Sequence, residues 1–356
     1  MCRVHTGESA IDVEEGTGKE PGATIVSGFV RVDIVLQCGA EDWDDQQMNG
    51  MNCRRRSSVH NIVVIDIGGT AIKYGLVDAE GNFKDKGSRP ALAKEEGGAG
   101  IVAKAIDIVQ AYQQHFYVDA VGIDTAGIVA PGEDGEIVFA GPDSFPGYSG
   151  TKLGRAVREA TGLPCVVEND VNAAALGEYA EGAARGVRSA FMVTVGTGVG
   201  GCFIVDGKIW HGASDSAGEL GFLRVHGEQR IFEEIASTRA LIQAAAFTHN
   251  VSPAELTGEQ VFRWARQGDA DAMAAILQWC DNLTEGFAAV ACLLNPEVIV
   301  LGGGVMAQRQ MLAPLLTQRF EARVPEAMRA HTRLAFATLG NDAGLRGAWH
   351  LAKNIA

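Results

Sequence analysis

Three glycine-rich segments stand directly after short apolar runs, and this pattern constrains the fold more than any other feature of the chain. They read "DIGGT" at residues 66–70, "GTGVGG" at 196–201 and "GGG" at 302–304. A short uninterrupted apolar run is typical of a buried strand, and glycine-rich turns at strand ends are where α/β sheets bind nucleotides. A plain hairpin turn would explain one such segment. Three of them predict one nucleotide held between two parts of the chain.

Apolar strands alternate with amphipathic helices from Asn61 onward. Strands are predicted at residues 61–69, 71–78, 118–127 and 164–170, and helices near 101–112, 151–160 and 171–184. A second series opens with "SAFMVTVG" at 189–196 and includes a long helix near 270–294 and the strand "EVIVLGGG" at 297–304. Each series begins with an apolar strand, a glycine-rich turn and another strand. We therefore predict an α/β protein with two related lobes around a cleft.

Charge and cysteine content argue against several classes of protein. The 356 residues include 44 Asp and Glu against 30 Lys and Arg, a formal charge of −14, so nucleic acid and anionic membranes would be repelled. No apolar run approaches the roughly 18 residues needed to cross a bilayer, and the start lacks a secretory signal pattern. Seven scattered cysteines without a C-x-x-C pair indicate reduced thiols. We expect a cytoplasmic protein whose partners are not nucleic acids or membranes.

The first fifty residues differ in charge from the rest. They contain 10 Asp and Glu against 3 Lys and Arg, a balance of −7 that is half of the total. The segment "TIVSGFVRVDIVLQC" alternates enough to be a strand, but it is isolated between glycine-rich and acidic segments. We interpret residues 1–60 as an extension that is disordered or results from a misassigned start, with the protein beginning near Met48 or Met51. A regulatory arm is the alternative.

The polar residues of the first turn suit a phosphate and its metal ion. Gly68 and Gly69 allow a sharp turn whose backbone N–H groups can face one concavity together with the Thr70 hydroxyl. Asp66, at the end of the strand, can hold Mg²⁺ directly or through water, because Mg²⁺ prefers carboxylates, water and phosphate oxygens. We expect phosphates at the first two glycine turns and the nucleoside near the third.

The segment "END" at residues 168–170 is a second unusual feature, since a strand ends there in three polar residues before an alanine-rich helix. Asp170 could simply cap that helix. It could instead accept a proton from a substrate hydroxyl while Asn169 hydrogen-bonds a neighbouring hydroxyl. The residues alone leave both interpretations open.

Six motifs together resemble the ROK (repressor, open reading frame, kinase) family of sugar kinases. In order they are "DIGGTAIKYGLVD", "ENDVNAAALGE", "TVGTGVGG", "GASDSAGELGF", "LNPEVIVLGGGV" and "LGNDAGLRGA", and the resemblance covers about residues 61–356. It implies the actin-like ATPase (ribonuclease H-like) fold, with two α/β lobes around a nucleotide and sugar cleft. The expected lobes are a small one of residues 61–173 plus 340–356 and a large one of residues 174–339.

The resemblance also implies roles for individual residues. The first phosphate loop would comprise Asp66, Gly68, Gly69, Thr70 and Lys73; the second Thr197, Gly198, Gly200 and Gly201; and the turn beside the nucleoside Gly302, Gly303 and Gly304. Asp170 would be the catalytic base, and the sugar hydroxyls would be bound by Asn169, Asp170, Glu219 and Glu233. Without the resemblance, Glu219 and Glu233 would be interpreted as surface carboxylates. The implied cofactors are ATP and Mg²⁺, with Asp66 near the metal, and the implied assembly is a homodimer or homotetramer.

The chain departs from the family at its zinc module. Members usually read G-E-x-G-H followed by a C-x-C-G-x-x-G-C cluster, whereas here Phe222 replaces the histidine and no cysteine lies between Cys202 and Cys280. The nearby His226 cannot make a tetrahedral site alone. We therefore predict no zinc site. The chain resembles the zinc-free subgroup that includes β-glucoside kinases and some N-acetylmannosamine kinases, as does its segment "FAGPDSFPGYSGTKL".

The activity implied by the resemblance is transfer of the γ-phosphoryl of ATP to a sugar hydroxyl, expected at O6 of a hexose or β-glucoside. N-acetylmannosamine kinase and glucokinase are alternatives within the family. A non-catalytic, sugar-sensing transcriptional regulator is the alternative from another class. Residues 1–49 are acidic and only "RRR" at 54–56 is basic, which does not suit a DNA-binding helix-turn-helix. The identity of the sugar does not follow from spacing along the chain.

Overall fold

A computed structural model describes residues 61–225, 227 and 229–356. The interpretation of residues 1–60 and the suggestion about His226 lie outside these residues. Four cysteines in the described part, Cys165, Cys202, Cys280 and Cys292, are free thiols. Within the same part, no helix combines the length and apolar character that crossing a bilayer would require.

The first half of the described chain alternates strands and helices as predicted, and adds a small hairpin. Its elements are β1 (Ile62–Ile67), β2 (Ala71–Val77), β3 (Phe83–Pro90), α1 (Ala93–Gln113), β4 (Ala120–Thr125), β5 (Ile128–Ala130), β6 (Glu136–Phe139), α2 (Leu153–Thr161), β7 (Cys165–Asn169) and α3 (Asp170–Ala180). The unpredicted hairpin is β5–β6, whose strands are short and pair only with each other.

Five strands form the first sheet in the order β3-β2-β1-β4-β7. Strands β1, β2 and β3 are antiparallel to their neighbours in this group, whereas β4 and β7 run parallel to β1. Alternate residues of β1 pack into two hydrophobic cores, one on each face of the sheet. Val63 and Ile65 pack with α1 and α2, and Ile62 and Val64 pack with the helix at residues 343–352. Burial on both faces explains why this strand is a continuous apolar run.

The second half begins with a strand pair like the first. Its elements are β8 (Ser189–Val195), β9 (Val199–Val205), β10 (Lys208–Ile209), α4 (Phe232–Ala236), α5 (Thr238–His249), α6 (Gly258–Arg266), α7 (Ala270–Leu294), β11 (Val298–Gly302), α8 (Arg309–Arg323), α9 (Glu326–Arg329), β12 (Arg333–Phe336) and α10 (Ala343–Ala352). The long helix predicted near 270–294 is confirmed as α7, which contributes Trp279, Leu283 and Phe287 to a large apolar core.

The second sheet repeats the topology of the first. Its order is β10-β9-β8-β11-β12, with β8–β10 antiparallel and with β11 and β12 parallel to β8. The predicted α/β class with two lobes is confirmed. The limits proposed for the lobes stay predictions, although α10 packs on the first sheet as the segment 340–356 was expected to do.

Two helices, α3 and α10, cross at very short range. A Cβ atom at Gly177 would lie 2.5 Å from the carbonyl oxygen of Ala343, and one at Gly347 would collide with the carbonyl of Ala173. Only glycine permits this approach. The crossing brings the first turns of both helices, at Asp170 and at Gly344, to the same cavity.

Candidate active site

A cavity of about 690 Å³ lies between the two sheets, where the parallel strands end. Its volume is within the range of about 300–1,000 Å³ that is usual for small-molecule sites. Residues of the first sheet and of the helices that follow it line one side, and residues of the second sheet line the other. They include Asp66, Lys73, Asp124, Asp170 and Gly344 on the first side and Thr194, Gly302, Gly303 and Gly304 on the second.

A second cavity of about 740 Å³ shares Gly304 and Ala307 with the first. It lies within the second lobe, beside the second and third glycine turns and the helices α5 and α6. Most of its surface is apolar, and its polar side chains include the amides of Gln243 and Gln308 and the charged groups of Arg239 and Glu259. Thr197 lines this cavity, and Gln308 accepts a hydrogen bond from Arg266 at 2.8 Å.

Asp66 and Lys73 face each other across the β1–β2 pair. The Lys73 Nζ lies 2.8 Å from the Asp66 Oδ2, and both side chains line the first cavity. Partial burial disfavours the charged form of Lys73. The hydrogen bond to Asp66 and the charge of Asp66 outweigh this effect, so the pKa of Lys73 is raised. The sequence predicted both residues, and the structure shows that they form an ion pair.

The first glycine turn is built differently from the sequence expectation. Neither Gly68 nor Gly69 has a positive φ, and the Gly68 N–H donates to the Ala71 carbonyl at 3.1 Å, so it is used within the turn. Gly68, Gly69 and Thr70 do not line either of the two cavities. Gly69 and Thr70 are exposed. Their predicted contact with phosphate stays a prediction.

Sequence reasoning missed Asp124, which stands next to Asp66 in the parallel register of β1 and β4. It is 1% exposed, lines the first cavity, and neither of its oxygens receives a hydrogen bond from a described residue. Burial, followed by the charges of Asp66 and Asp170, raises the pKa of Asp124 well above its ordinary value. A signal was present, because "GIDTAG" repeats the Ile-Asp and glycine pattern of "VIDIGG".

Asp170 is the first residue of α3, but Asn169 caps the helix. The Asn169 Oδ1 accepts hydrogen bonds from the N–H groups of Val171 and Asn172 at 2.9 and 3.0 Å. Asp170 Oδ1 accepts from the Val171 N–H and from the Asn169 amide, whereas Oδ2 accepts none from the described residues. Simple capping therefore does not explain the Asp170 carboxylate.

The environment of Asp170 suits a base at near-neutral pH. Burial raises the pKa of Asp170 to about 6, with the charges of Asp66 and Glu219 adding to this and the Val171 N–H opposing it. A general base works best when its pKa lies near the operating pH.

Asn169 is fully engaged within the protein. Besides its two capping bonds, its Nδ2 donates to the Gly127 carbonyl at 2.9 Å and to Asp170 Oδ1 at 3.0 Å. All the hydrogen-bonding positions of its amide are thereby used. The structure gives it a positioning role toward Asp170, and its predicted contact with a sugar hydroxyl stays a prediction.

Glu168 ties the same turn to the second lobe. This buried carboxylate accepts hydrogen bonds from the Asn169 N–H and the Asn172 amide, and it bonds His211 Nε2 at 2.8 Å. The bond to Glu168 raises the pKa of His211. His211 was not predicted, and no motif in the sequence singled it out.

Glu219 and Glu233 lie close to each other and to the second glycine turn. Partial desolvation, followed by the charge of Glu233, raises the pKa of Glu219. A Cβ at Gly198 would lie 2.6 Å from Glu233 Oε2, so this turn and Glu233 are in contact. Because Glu219 also acts on the pKa of Asp170, the structure brings three predicted sugar ligands together. Their contact with a sugar stays a prediction.

Several predicted phosphate-loop glycines serve the packing of the second sheet. Gly200 and Gly201 lie inside β9, where a Cβ at Gly200 would be 2.7 Å from Val171 Cγ2. Gly302 ends β11, and Gly303 has a φ of +97° and abuts the Val195 backbone. Gly304 has open space around it. The third turn thus packs directly on the strand that leads into the second, and Gly304 lines both cavities.

The carboxylates present fit Mg²⁺. Within residues 61–225, 227 and 229–356, no three His, Cys, Asp or Glu side chains are grouped so as to hold a metal by themselves. Mg²⁺ needs only one or two carboxylates, since phosphate oxygens and water complete its shell. Asp66 and Asp124 offer two at the cavity, and the oxygens of Asp124 receive no hydrogen bond from a donor group of the described residues. The predicted absence of zinc stays a prediction.

Comparisons with known proteins agree with the motifs. The model of the ROK family matches residues 62–355. An uncharacterised protein of Clostridium perfringens is 40% identical over 287 residues, covering 81% of this chain and 96% of that protein. A glucokinase of Halalkalibacterium halodurans is 34% identical, with 82% and 94% covered, and an N-acetylmannosamine kinase of Escherichia fergusonii is 30% identical, with 82% and 98% covered.

Solved structures show the same fold. A ROK family glucokinase of Streptomyces griseus, in complex with glucose and AMPPNP, is 32% identical with a TM-score of 0.70, covering 83% of this chain and 99% of that one. A ROK family transcriptional regulator has a TM-score of 0.71 at 24% identity, covering 81% and 76%, and supports the fold alone. The family match spans nearly all described residues, and kinases resemble the chain over four fifths of its length. This chain therefore belongs to the ROK family, whose sugar kinases share the actin-like ATPase fold.

Proposed function

We propose that the protein transfers the γ-phosphoryl of ATP to a hydroxyl of a hexose or β-glucoside, at O6, with Asp170 as the general base. The observation that supports this most is Asp170 itself. It lines the cavity between the sheets, Asn169 and the Val171 N–H fix one of its oxygens, and burial brings its pKa to about 6.

The two cavities share Gly304 and Ala307 in their lining, and this arrangement suggests how ATP would bind. The apolar second cavity suits a purine, with the Gln243 and Gln308 amides available to its polar edge, and Gly304 leads from there to the first cavity. The phosphates would then extend toward Lys73. Mg²⁺, held by Asp66, would offset the negative charge of the phosphates.

Proton transfer would proceed through the Asp170 Oδ2. As the sugar oxygen attacks the γ-phosphorus in line, the bond from that phosphorus to the bridging oxygen breaks, ADP leaves, and the proton of the sugar hydroxyl passes to Asp170 Oδ2. The hydrogen bonds to Oδ1 would keep the carboxylate in place. Glu219 and Glu233 would hold other hydroxyls of the sugar. Closure of the lobes would exclude water, which otherwise competes as the acceptor. Phosphoryl transfer needs little more than such positioning and charge stabilisation.

The nature of the sugar is proposed from Phe222. Its side chain is 60% exposed, and it follows Glu219 within one short 3₁₀ turn. An exposed ring offers an apolar face to the aglycone or second sugar of a β-glucoside, but no hydrogen bond to a free C1 hydroxyl. We therefore rank β-glucosides such as cellobiose alongside or ahead of free glucose. N-acetylmannosamine is the competing substrate.

Steady-state kinetics with glucose, cellobiose, a simple β-glucoside and N-acetylmannosamine test this proposal. Phe222→Leu should lower kcat/KM for the β-glucosides about 2- to 10-fold, the scale of one aromatic contact, and leave glucose unchanged. Phe247→Leu, at an exposed ring on α5, is the matched control. If glucose were preferred tenfold, about 1.4 kcal/mol, the inference from Phe222 would be wrong and the enzyme a glucokinase.

The family also contains regulators, so a sugar sensor without catalysis is the second candidate. No described residue specifically favours it. Sugar-dependent turnover of ATP would exclude it as the sole function, whereas binding of sugar and nucleotide without turnover would support it. The expected cytoplasmic location and the homodimer or homotetramer stay predictions.

A further inference from the structure

Asp124 is a buried acidic side chain that the protein itself does not satisfy. Its exposure is 1%, and neither carboxylate oxygen receives a hydrogen bond from any described residue. Burying a polar group without a hydrogen-bond partner destabilises a protein, and burying an unpaired charge destabilises it more. Buried polar groups in proteins nearly always have a partner. A bound group from outside the chain that pairs with the Asp124 carboxylate would remove this penalty.

The surroundings of Asp124 direct its carboxylate to the first cavity. Asp66 neighbours it on β1, and side chains in such register point to the same face of a sheet. On the other side of Asp124, a Cβ atom at Gly344 would lie 2.9 and 3.0 Å from the two carboxylate oxygens of Asp124. The glycine in the first turn of α10 therefore leaves just enough room for this carboxylate. Asp124 and Asp66 both line the cavity that we assign to the phosphates.

Among the described residues, no cation in this neighbourhood bonds Asp124. The nearest cation is Lys73, whose Nζ bonds Asp66 Oδ2 at 2.8 Å and makes no hydrogen bond to Asp124. The other groups that face Asp124 are the carboxylates of Asp66 and Asp170, whose charges repel it, and Asp66 can hydrogen-bond it only while one of the two carboxyl groups is protonated. Packing of the sheet does not require an acid here, because the equivalent position of the second sheet is Gly302. A cation that enters the cavity would satisfy the carboxylates of both Asp66 and Asp124, which otherwise can only share a proton between them.

We propose that Asp124 is, together with Asp66, a ligand of the divalent cation that accompanies the nucleotide phosphates. This inference rests on the proposed function. Two carboxylates on neighbouring parallel strands, with phosphate oxygens and water for the remaining positions, make up the set that Mg²⁺ prefers. Asp66 alone would leave Asp124 unsatisfied, whereas a shared cation uses both.

Binding of Mn²⁺ to the protein–AMPPNP complex, followed by electron paramagnetic resonance, tests this proposal without relying on activity. Asp124→Asn keeps the size of the side chain and should weaken Mn²⁺ binding roughly 10- to 100-fold, the range for losing a group of a metal site. Binding of AMPPNP without metal should be unchanged or tighter, since one negative charge is removed. Asp342→Asn removes a charge near Lys73 but outside the cavity lining, and should leave Mn²⁺ binding unchanged.

The outcomes separate the two proposals. If the wild type binds AMPPNP and Mn²⁺ but Asp124→Asn binds Mn²⁺ within twofold of it, Asp124 is not a ligand, and the proposed kinase function stands. If the wild type does not bind AMPPNP at all, both proposals fail. Thermal melting without metal shows that the variant is folded, and its melting temperature should equal or exceed that of the wild type. If the Asn variant does not fold, the measurement is repeated with Asp124→Ala. Mn²⁺ affinity within twofold of the wild type in that variant would likewise overturn the assignment.

Discussion

The two sheets have the same topology but opposite chemistry where they meet the cavity. In the first sheet, Asp66 pairs with Lys73 on one side and with Asp124 on the other. In the second sheet, the equivalent residue is Thr194, which pairs with Gly200 and Gly302. At three equivalent positions, the first sheet therefore has three charged side chains, whereas the second sheet has one threonine hydroxyl and two glycines.

This difference shows how one architecture can supply two kinds of function. The charged end of the first sheet provides the groups that we assign to the metal and the phosphates, and Asp170 follows its last strand. The second sheet provides backbone and space, because its glycines let the turns pack closely and Gly304 lines both cavities. The following four predictions test this division of roles.

The largest effect is expected for Asp170→Asn. Loss of the base should reduce kcat by about 10²- to 10⁴-fold, while AMPPNP affinity and melting temperature stay near wild-type values. Asp342→Asn is the matched control, since Asp342 stands at the start of α10 as Asp170 does at the start of α3. Turnover within tenfold of wild type in Asp170→Asn would remove this residue from the mechanism.

The pH dependence should report the same carboxylate. Because the pKa of Asp170 is raised to about 6, the ionised base is present above this pH and is lost below it. We expect kcat/KM for the sugar, at saturating Mg-ATP, to fall about tenfold per pH unit below that value. The residual activity of Asp170→Asn should lack this fall. A flat wild-type profile down to pH 5, with the fold retained by circular dichroism, would contradict the assignment.

Lys73→Met tests whether the Lys73 ammonium at the end of the first sheet binds the phosphates of ATP. A hydrogen bond to a charged group contributes about 1.5–3 kcal/mol, so the KM for ATP should rise roughly 10- to 100-fold. Lys86→Met is the control, because Lys86 lies on the same sheet and pairs with Asp342 outside the cavity lining. Equal effects of the two variants would mean that Lys73 acts only through the general charge of the lobe.

Gly201→Ala tests the spacing role of the second sheet and should have the smallest effect on catalysis. The added Cβ would lie 2.6 Å from the Gly218 carbonyl and 2.7 Å from the Phe191 ring, which should cost about 1–3 kcal/mol of stability. Gly196→Ala adds the same group where nothing lies within 4 Å. Urea denaturation of both variants measures the difference, and equal midpoints would show that the sheet accommodates the methyl group.

Local pattern predicted most of the fold. Continuous apolar runs such as residues 62–67 and 298–302 identified the buried strands, and α7 followed from its length and periodicity. The β5–β6 hairpin was missed because its strands are short and partly exposed, so they lack a strong pattern. The matching order of the two sheets depends on contacts between distant segments, which no local window contains.

The site was predicted less completely, for physical reasons that differ by residue. Asp170, Lys73 and Asp66 were found because motifs mark them, but the use of the Asn169 amide within the protein depends on the distant Gly127 carbonyl. Asp124 was missed because it is a single acidic residue in an apolar strand. Only the pairing of β1 with β4, which places Asp124 beside Asp66, shows that it belongs to the site. His211 belongs to no motif and reaches Glu168 only through the fold.

The most direct test of the central claim is ³¹P nuclear magnetic resonance of ATP, Mg²⁺ and the sugar panel with the wild-type protein. We predict that one sugar phosphate and one ADP form for each ATP consumed, at O6 of the sugar. Asp170→Asn should slow this turnover about 10²- to 10⁴-fold, and Asp342→Asn should retain it. Sugar phosphate formation at the wild-type rate by Asp170→Asn, or sugar and nucleotide binding by the wild type without any sugar phosphate, would contradict the account.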